Sequence, residues 1–374
     1  MKFIKFSQIF DFQKKSKIKA GDGLRNGTFP FFTSSPILSK YVNSFQFDKD
    51  SLIFGTGGNV SVHVYTKPFS VSTDCLVAQL KYDLIKKFRI KFVYYYLIGN
   101  IWILEKGFKG AGLKHISKDY INNIDIPELS VEDQERIVKI LDEADVLRQK
   151  RKQAIELLDD YLNSVFLEMF GKNLTEGTMR IGKHLKVIGG GTFKSTDFVG
   201  SGVPVIKIGT INKGFFDLNN GSFLPTVFLR NHRNEKYIIY PDDLLISLTG
   251  TVGKDDYGNV CIVTAKYPQY LLNQRVAKLD FDKTTFKKEF LFYFFKAKQI
   301  KSQLTKISRG VRQANISNED ILSLVIDIPS MDLQSKFSGI VKKSEGIKET
   351  MFAQSVELET QFQVLIQRAF KGEL

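Results

Sequence analysis

Residues 112–127 of the chain read GLKHISKDYINNIDIP, and residues 310–329 read GVRQANISNEDILSLVIDIP. Both stretches begin with glycine, contain an Ile-Ser pair and close on Asp-Ile-Pro, although the second has two more residues between the Ile-Ser pair and that closing triplet. Ile116-Ser117 and Ile316-Ser317 lie 200 positions apart (316 − 116). Self-similarity of this kind predicts a structural unit that occurs twice.

The similarity continues on both sides of this stretch. Three further identities have the same offset of 200 residues: Ser130 with Ser330, Gln134 with Gln334, and Phe170 with Phe370. Upstream, residues 50–58 (DSLIFGTGG) align with residues 243–251 (DLLISLTGT), and residues 29–32 (FPFF) align with residues 203–206 (VPVI). The chain is therefore predicted to contain one internal repeat that spans nearly its full length.

Each copy begins with short runs of β-branched and aromatic residues separated by Gly, Asn and Asp, a pattern typical of strands joined by turns. In the second copy the predicted strands include residues 203–208, 237–240, 244–248 and 260–264. Each copy ends in about forty residues in which apolar side chains recur every three or four positions. That spacing predicts one long amphipathic helix per copy.

The two predicted helices have recognisable ends and one apolar face each. Ser130 with Asp133 predicts the N-cap of the first helix, and Gly171 and Gly372 predict where the helices end. The first face comprises Ile137, Ile140, Leu141, Ala144, Leu147, Ala154, Leu158, Tyr161, Leu162, Val165 and Met169. The second face comprises Phe337, Ile340, Val341, Ile347, Met351, Leu358, Phe362, Leu365, Ile366 and Phe370. Because forty residues form a rod of about 60 Å, we expect the two faces to cover each other as a coiled-coil spacer.

Composition indicates a folded, multi-domain protein of the cytoplasm. The 374 residues are 43% hydrophobic and 13% aromatic, which argues against disorder. The two isolated cysteines, Cys75 and Cys261, predict neither a disulfide framework nor a metal site and fit a reducing cytosol as buried fillers. The sequence has no apolar run of about 18 residues and no signal-peptide pattern at its start, so we expect no membrane association.

The net charge of +14 favours a polyanionic partner such as double-stranded DNA, since basic side chains displace the counterions condensed on phosphates. A generally basic proteome would explain the same charge, and charge alone does not separate these interpretations.

Motifs for catalysis are missing from the sequence. Residues 250–254 (GTVGK) lack the spacing of a nucleotide-binding P-loop, and residues 189–191 (GGG) lack that of a dinucleotide fingerprint. The four histidines, His63, His115, His184 and His232, have no metal-ligand or triad spacing. No Asn/Asp-Pro-Pro-Tyr/Phe motif of adenine methyltransferases occurs. The chain is therefore predicted to be non-catalytic and to bind no cofactor of its own.

Loops with small, basic and amide side chains are the candidates for DNA contact. Residues 249–254 follow a predicted strand and contain glycines that allow close approach to phosphate, although a plain hairpin turn is an equal alternative. In residues 309–313, Arg and Gln have the donors that pair with guanine and adenine, with a solvated charged loop as the alternative. The candidate residues are Thr56, Asn59, Lys114, His115, Lys194, Lys207, Thr249, Thr251, Lys254, Arg275, Arg309, Arg312 and Gln313.

With the repeat laid out, the chain resembles the specificity subunits of type I restriction-modification systems along essentially its full length. The resemblance is carried by an ordered set of motifs. These are residues 241–254 (PDDLLISLTGTVGK), residues 273–277 (NQRVA), the Ile-Ser and Ile-Pro pairs, and the Glu/Asp-x-Gln that opens each long helix, here residues 132–134 (EDQ) and 332–334 (DLQ). The family's Gly-Gly-Thr-Pro opening corresponds to Gly190-Gly191-Thr192-Phe193 in this chain, with Phe in place of Pro. The first copy has Gly57-Gly58-Asn59 in place of the Gly-Thr-Val-Gly-Lys loop of the second copy.

The resemblance implies a mixed α+β fold with two similar target-recognition domains, separated by two long helices that form an antiparallel coiled coil. It assigns residues 1–130 and 181–330 to the recognition domains, 131–172 and 331–374 to the helical spacer, and 173–180 to a linker. It also implies two modification subunits that use S-adenosylmethionine, restriction subunits that use ATP and Mg²⁺, and a bipartite DNA target.

Two other functional classes remain open from the sequence. One is a stand-alone regulator or architectural DNA binder with the same duplicated domains and no enzyme partners. The other is a restriction enzyme with its own nuclease or methylase, which the missing motifs disfavour.

Overall fold

The chain is described by a computed structural model that covers residues 2–174, 177–211, 216–218, 221–251, 258–307 and 313–374. Backbone contacts divide it into two compact units. Unit 1 consists of Met1–Gln153 with Met351–Leu374, and unit 2 consists of Ala154–Thr350. Each unit therefore contains about half of each long helix. The recognition domains predicted from the sequence, in contrast, contain neither helix.

Unit 1 contains short strands followed by helices. Its strands are β1 (Lys2–Lys5), β2 (Phe10–Phe12), β3 (Phe29–Phe32), β4 (Tyr41–Val42), β5 (Ser51–Gly55), β6 (Ser61–Tyr65), β7 (Ser70–Val71), β8 (Cys75–Leu80) and β9 (Asp125–Glu128). Its helices are α1 (Phe6–Ile9), α2 (Ile90–Gly99), α3 (Ile101–Glu105), α4 (Lys118–Asn122) and the first part of α5 (Val131–Phe170).

Two sheets organise unit 1. One has the strand order β2-β8-β5-β6 and is antiparallel, and the other has the order β4-β3-β7 with β3 and β7 parallel. The antiparallel sheet covers a core that includes Leu52 and Phe54 together with α2 and residues of both long helices. On the opposite face of β5, Ile53 packs with Phe32 and Phe69 in a second core.

Unit 2 repeats this plan. Its strands are β10 (Met179–Arg180), β11 (Leu185–Gly189), β12 (Val203–Ile206), β13 (Ser222–Leu224), β14 (Ile238–Ile239), β15 (Leu244–Ser247), β16 (Thr249–Thr251), β17 (Val260–Ile262), β18 (Tyr270–Leu272), β19 (Val276–Phe281), β20 (Gln313–Asn315) and β21 (Val325–Ile326). Its helices are α6 (Ile208–Ile211), α7 (Val227–Arg230), α8 (Lys288–Lys296), α9 (Lys298–Ile307), α10 (Asn318–Leu322) and, shared with unit 1, α11 (Met331–Lys371).

The sheets of unit 2 have the order β11-β19-β15-β17 and β13-β12-β18-β14, with β12 and β18 parallel. Strand for strand, they match the two sheets of unit 1, with β14 added at one edge. The mixed α+β fold with an internal repeat is thus confirmed. The four strands predicted in the second copy are present as β12, β14, β15 and β17, each shorter than predicted.

The repeated Ile-Ser pair has the same structural role in both copies. Ile116 and Ile316 are buried, and Ser117 and Ser317 each accept a backbone N–H three residues later, which caps the N-termini of α4 and α10. A serine in this position satisfies a backbone donor that the first helical turn leaves without a partner.

The two long helices have the predicted ends and run antiparallel within each unit. Ser130 Oγ accepts the Asp133 N–H at 3.0 Å, and Gly372 ends α11 with φ of 78°. In unit 1, Arg148 pairs with Glu359 at 2.6 Å, and Arg136 donates to the Leu374 carbonyl at 3.0 Å. In unit 2, Lys348 pairs with Asp159 at 2.6 Å, and Phe170 packs edge-on against Phe337.

The predicted apolar faces included some exposed residues and omitted some buried ones. Leu147, Tyr161 and Ile347 are each more than 50% exposed, whereas Ile155 and Phe166, which the predicted face omitted, are buried. A pair of helices buries only a narrow seam, so some residues at three- and four-residue spacing stay outside it. Among the helices that the structure describes, none is both long and apolar enough to span a bilayer.

Candidate nucleic-acid interface

In unit 1, three segments distant in sequence meet where β5 ends. The Thr56 N–H and Oγ1 both donate to the Asp74 carbonyl, each at 2.9 Å. The Ile116 N–H donates to the Thr56 carbonyl at 3.1 Å. The loop after β5, the turn before β8 and the segment before α4 therefore form one surface at this end of the sheet.

His115 strengthens this junction. It forms antiparallel bridges with Gly57 and with Lys109, and its Nδ1 lies 3.1 Å from the Thr56 carbonyl, to which it donates. Lys114 is exposed next to it, and Asn59 is exposed two residues after Gly57. The structure thus brings together Thr56, Lys114 and His115, three of the four residues predicted in the first copy.

Unit 2 has the same junction built from equivalent backbone groups. The Leu248 N–H donates to the Arg275 carbonyl at 2.9 Å, and the Ile316 N–H donates to the Leu248 carbonyl at 2.9 Å. Beyond it, β16 and β20 pair antiparallel, with Thr251 opposite Gln313. Residues 249–251 are therefore a strand that pairs far along the chain, and not part of a plain hairpin turn.

These bonds correct the alignment of the repeat by one residue. The sequence comparison placed Thr56 opposite Thr249, but the hydrogen bonds make Leu248 its equivalent. Side-chain direction agrees, because Phe54 and Ile246 both face the core that contains the long helices. A shift of one residue in a strand turns every side chain to the other face, so the sequence-based alignment was wrong here.

In the corrected register Thr249, a predicted DNA-contact residue, is only 6% exposed. Its hydroxyl is therefore not on the surface of the junction. Three predicted residues, Lys254, Arg309 and Arg312, lie outside the residues that the structure describes.

The remaining predicted residues lie around the unit 2 junction. Lys194 is exposed at the start of a short 3-10 turn, where its N–H donates to Asp197 Oδ2 at 3.0 Å. Arg275 is exposed next to Leu248. Lys207 is half-buried, and its ammonium donates to Ser222 at 2.8 Å and lies 3.8 Å from the centre of the Phe198 ring. Lys207 is therefore occupied by contacts within the domain.

Sequence reasoning missed a basic segment of unit 1. The exposed side chains are Lys14, Lys15, Lys17 and Lys19. The Ile18 carbonyl accepts the Thr73 N–H at 2.8 Å, which holds the segment next to the Asp74 turn. The Lys19 N–H donates to Asp22 at 2.9 Å, the same turn that Lys194 forms with Asp197. The signal was visible in the sequence as residues 14–19, KKSKIK.

The two cysteines, predicted to be buried fillers, lie in the cores. Burial raises the pKa of the Cys75 thiol to about 11 and that of Cys261 to about 12. Burial also lowers the pKa of His63, whose Nε2 lies 2.9 Å from the Ser35 carbonyl. Within the described part of the chain, no group of three or more His, Cys, Asp or Glu side chains could hold a metal ion.

Comparison with known proteins identifies the class that this duplicated fold defines. The family model described as the type I restriction modification DNA specificity domain matches residues 1–157 and 176–359. The chain belongs to this family, which confirms the resemblance seen in the sequence.

Two relatives illustrate the likeness in sequence. The chain is 24% identical over 274 residues to the type I restriction enzyme MjaVIII specificity subunit of Methanocaldococcus jannaschii, covering 68% of this chain and 63% of that protein. It is 26% identical over 164 residues to the EcoDI specificity subunit of Escherichia coli, covering 43% of this chain and 36% of that protein. The chain thus spans less than two thirds of the length of either relative.

Two solved structures share the fold over nearly the whole chain. One is the crystal structure of a type I restriction-modification system S subunit from M. genitalium, with a TM-score of 0.52, 17% identity, and coverage of 98% of this chain and 95% of that one. The other comes from work on complex assembly and conformational transition of the type I R-M system, with a TM-score of 0.53, 15% identity, and coverage of 100% and 98%.

Proposed function

We propose that the chain is the DNA specificity subunit of a type I restriction-modification complex and recognises a bipartite, double-stranded target. The observation that carries the proposal is that one junction of three loops, centred on Thr56 and on Leu248, is built twice within a family of DNA specificity domains. Two such junctions suit two half-sites that flank an unspecified spacer.

Residues 1–130 and 181–330 are the proposed target-recognition domains, and each recognises one half-site. Residues 131–172 and 331–374 form the helical spacer that sets the distance between them, and residues 173–180 link the two copies. The net charge of +14 supports this role, because the phosphate backbone supplies much of the affinity of DNA-binding proteins.

The two half-sites are expected to differ in sequence. The equivalent position in the junction is an exposed Asp74 in unit 1 and an exposed Arg275 in unit 2. In the major groove a carboxylate accepts from the cytosine amino group, whereas a guanidinium donates to guanine O6 and N7. Asn59, Lys114, His115 and Lys194 are the other exposed side chains proposed to contact DNA.

The proposed partners supply all of the chemistry. Two modification subunits transfer methyl groups from S-adenosylmethionine, and restriction subunits use ATP and Mg²⁺. The chain itself contributes recognition and spacing and is not an enzyme. The proposed place of action is the cytoplasm.

The decisive experiment is co-expression of the chain with the modification subunits of a type I restriction-modification system. Gel filtration should show one complex, and methylation mapping should show a single bipartite motif. Exchange of residues 181–330 for the matching block of a relative should change one half-site and preserve the other half-site and the gap. Failure to form a complex, or a chimera that binds its partners but alters both half-sites, would reject the proposal.

A further inference from the structure

One loop of the unit 1 junction is fixed at its base and apolar at its tip. Lys109 and His115 exchange two backbone hydrogen bonds, with N–H to carbonyl distances of 2.9 and 3.0 Å, so residues 110–114 form a short loop closed by this one residue pair. The imidazole of His115 donates to the Thr56 carbonyl and packs against Gly57, where a Cβ would lie 3.0 Å from the ring. The base of the loop therefore cannot shift without breaking the junction.

The turn of this loop depends on Gly110. Its φ of 145° is open mainly to glycine, and a Cβ there would lie 2.6 Å from the Leu113 carbonyl. The turn presents Leu113 to solvent with 79% of its surface exposed. Leu113 is therefore an apolar side chain that the unit 1 junction leaves exposed.

The surroundings of Leu113 fit DNA as the molecule that covers it. Lys109 and Lys114 flank it, both exposed, and the lysine segment at residues 14–19 belongs to the same junction. The loop is closed by one bridged residue pair and is therefore no wider than a two-stranded ribbon, which the major groove, about 12 Å wide, admits and the minor groove, about 6 Å wide, does not. The apolar group that the major groove exposes on a base edge is the C5-methyl of thymine.

We propose that Leu113 contacts the methyl group of a thymine in the half-site recognised by the first repeat, while Lys109 and Lys114 lie toward the phosphates. This inference rests on the proposed function and adds a specificity-determining residue that the sequence motifs do not indicate. It predicts that this half-site contains an A·T pair at one defined position.

The test uses the complex of the chain with its modification subunits and a duplex that carries the methylation-mapped target. Each thymine of the first half-site is replaced in turn by deoxyuridine, which removes only the methyl group. Wild-type complex should lose about four-fold in affinity at one position, consistent with the burial of a methyl group. Leu113→Ala should bind the unmodified target about ten-fold more weakly and be insensitive to deoxyuridine at that same position.

Two variants serve as controls. Leu113→Met keeps an apolar tip and should retain most of the affinity and the sensitivity to deoxyuridine. Tyr82→Ala removes a side chain that is 92% exposed at the opposite end of the antiparallel sheet, where β8 ends, and should leave binding unchanged.

The inference is wrong if Leu113→Ala binds the target as tightly as wild type, or if it remains as sensitive as wild type to every deoxyuridine. In that case the proposed function still holds if the wild-type complex binds its target far more tightly than a scrambled duplex. If wild-type complex does not distinguish target from scrambled DNA, the proposed function fails, and this inference fails with it.

Discussion

The side-chain carbonyl of Gln134 accepts the backbone N–H of Arg89 at 2.8 Å. Its amide group donates to the carbonyls of Lys87 and Leu129, both at 3.0 Å, so the buried carboxamide joins the start of α2 to the start of α5. Gln334 makes the same three bonds in unit 2, to the Lys287 N–H and the carbonyls of Thr285 and Pro329. One of the identities that revealed the repeat, Gln134 with Gln334, is therefore explained by one bonding pattern.

Gln134→Leu keeps a buried side chain of similar size but leaves one N–H and two carbonyls without their partner. Because each of these three unsatisfied groups costs about 1–3 kcal/mol, we expect unit 1 to lose at least about 3 kcal/mol of stability. Urea unfolding followed by circular dichroism measures the loss. Lys139→Ala, at an exposed site on the same helix, should have almost no effect, and equal effects of the two substitutions would contradict the assigned role.

The ion pair between Arg148 and Glu359 should stabilise the helix pair by a modest amount. Arg148 also bonds Asp145 and lies 4.0 Å from the centre of the Phe362 ring, but Glu359 is 43% exposed and solvent screens the pair. We expect a double-mutant cycle with Arg148→Met and Glu359→Gln to give a coupling of about 0.5–1 kcal/mol.

The same coupling should depend on pH. Burial opposes ionisation of Glu359, but the hydrogen bond and the charge of Arg148 outweigh it and hold the pKa below its ordinary value of 4.5. A lowered pKa in the folded state adds stability above the unfolded pKa, and that stability disappears as the pH falls through the folded one. A coupling that stayed constant from pH 6 to pH 3 would contradict this account.

Both thiols should be inert in the folded protein. With pKa values of about 11 for Cys75 and about 12 for Cys261, against an ordinary 9.0, the thiolate fraction at pH 8 is at least about 100-fold lower than in an unfolded chain. Reaction with Ellman's reagent should be slow in buffer, rise with pH, and become fast in guanidinium. Cys75→Ser and Cys261→Ser assign each phase, and a thiol that reacts rapidly in the folded protein would refute its burial.

The lysine segment should contribute phosphate contacts without base preference. Changing Lys14, Lys15 and Lys17 to Gln should weaken target and random DNA alike and reduce the slope of log K against log salt by about 2–3, since each phosphate contact contributes about 0.9. The matched control changes Lys49, Lys86 and Lys87, three exposed lysines beyond the opposite end of the β5–β8 pair. Equal reductions in both triple variants would mean that net charge alone accounts for the effect.

The helix pair should act as a ruler between the half-sites. Seven residues inserted both between Gln153 and Ala154 and between Thr350 and Met351, at the boundary of the two units, keep the heptad register and lengthen each helix by about 10 Å. At about 3.4 Å per base pair, the target gap should grow by up to about three base pairs, with part of the change absorbed as twist.

Methylation mapping reads out that gap directly, and both half-site sequences should stay the same. An insertion in only one helix should instead shift the two faces out of register and lower stability. A folded double-insertion variant that still modifies only the original spacing at full efficiency would exclude the ruler role.

Features with a local cause could be predicted from the sequence. The long helices follow from a three- and four-residue period within one segment, and their ends follow from Ser130, Gly171 and Gly372. The repeat was found from identities such as Ile116 and Ile316, whose burial and capping roles are set within a few residues. Motif order was sufficient to indicate the family, since order survives divergence of individual residues.

What the sequence by itself determined is thus the repeat, the two helices and the family indicated by the order of its motifs. Only the tertiary structure decided the register of β5 against β15, the burial of Thr249, the position of residues 14–19 beside Asp74, and the outward placement of Leu113. Each of these depends on backbone hydrogen bonds between segments tens of residues apart. A strand has a period of only two, so its sequence allows registers that differ by one residue, and partners elsewhere in the chain select the correct one.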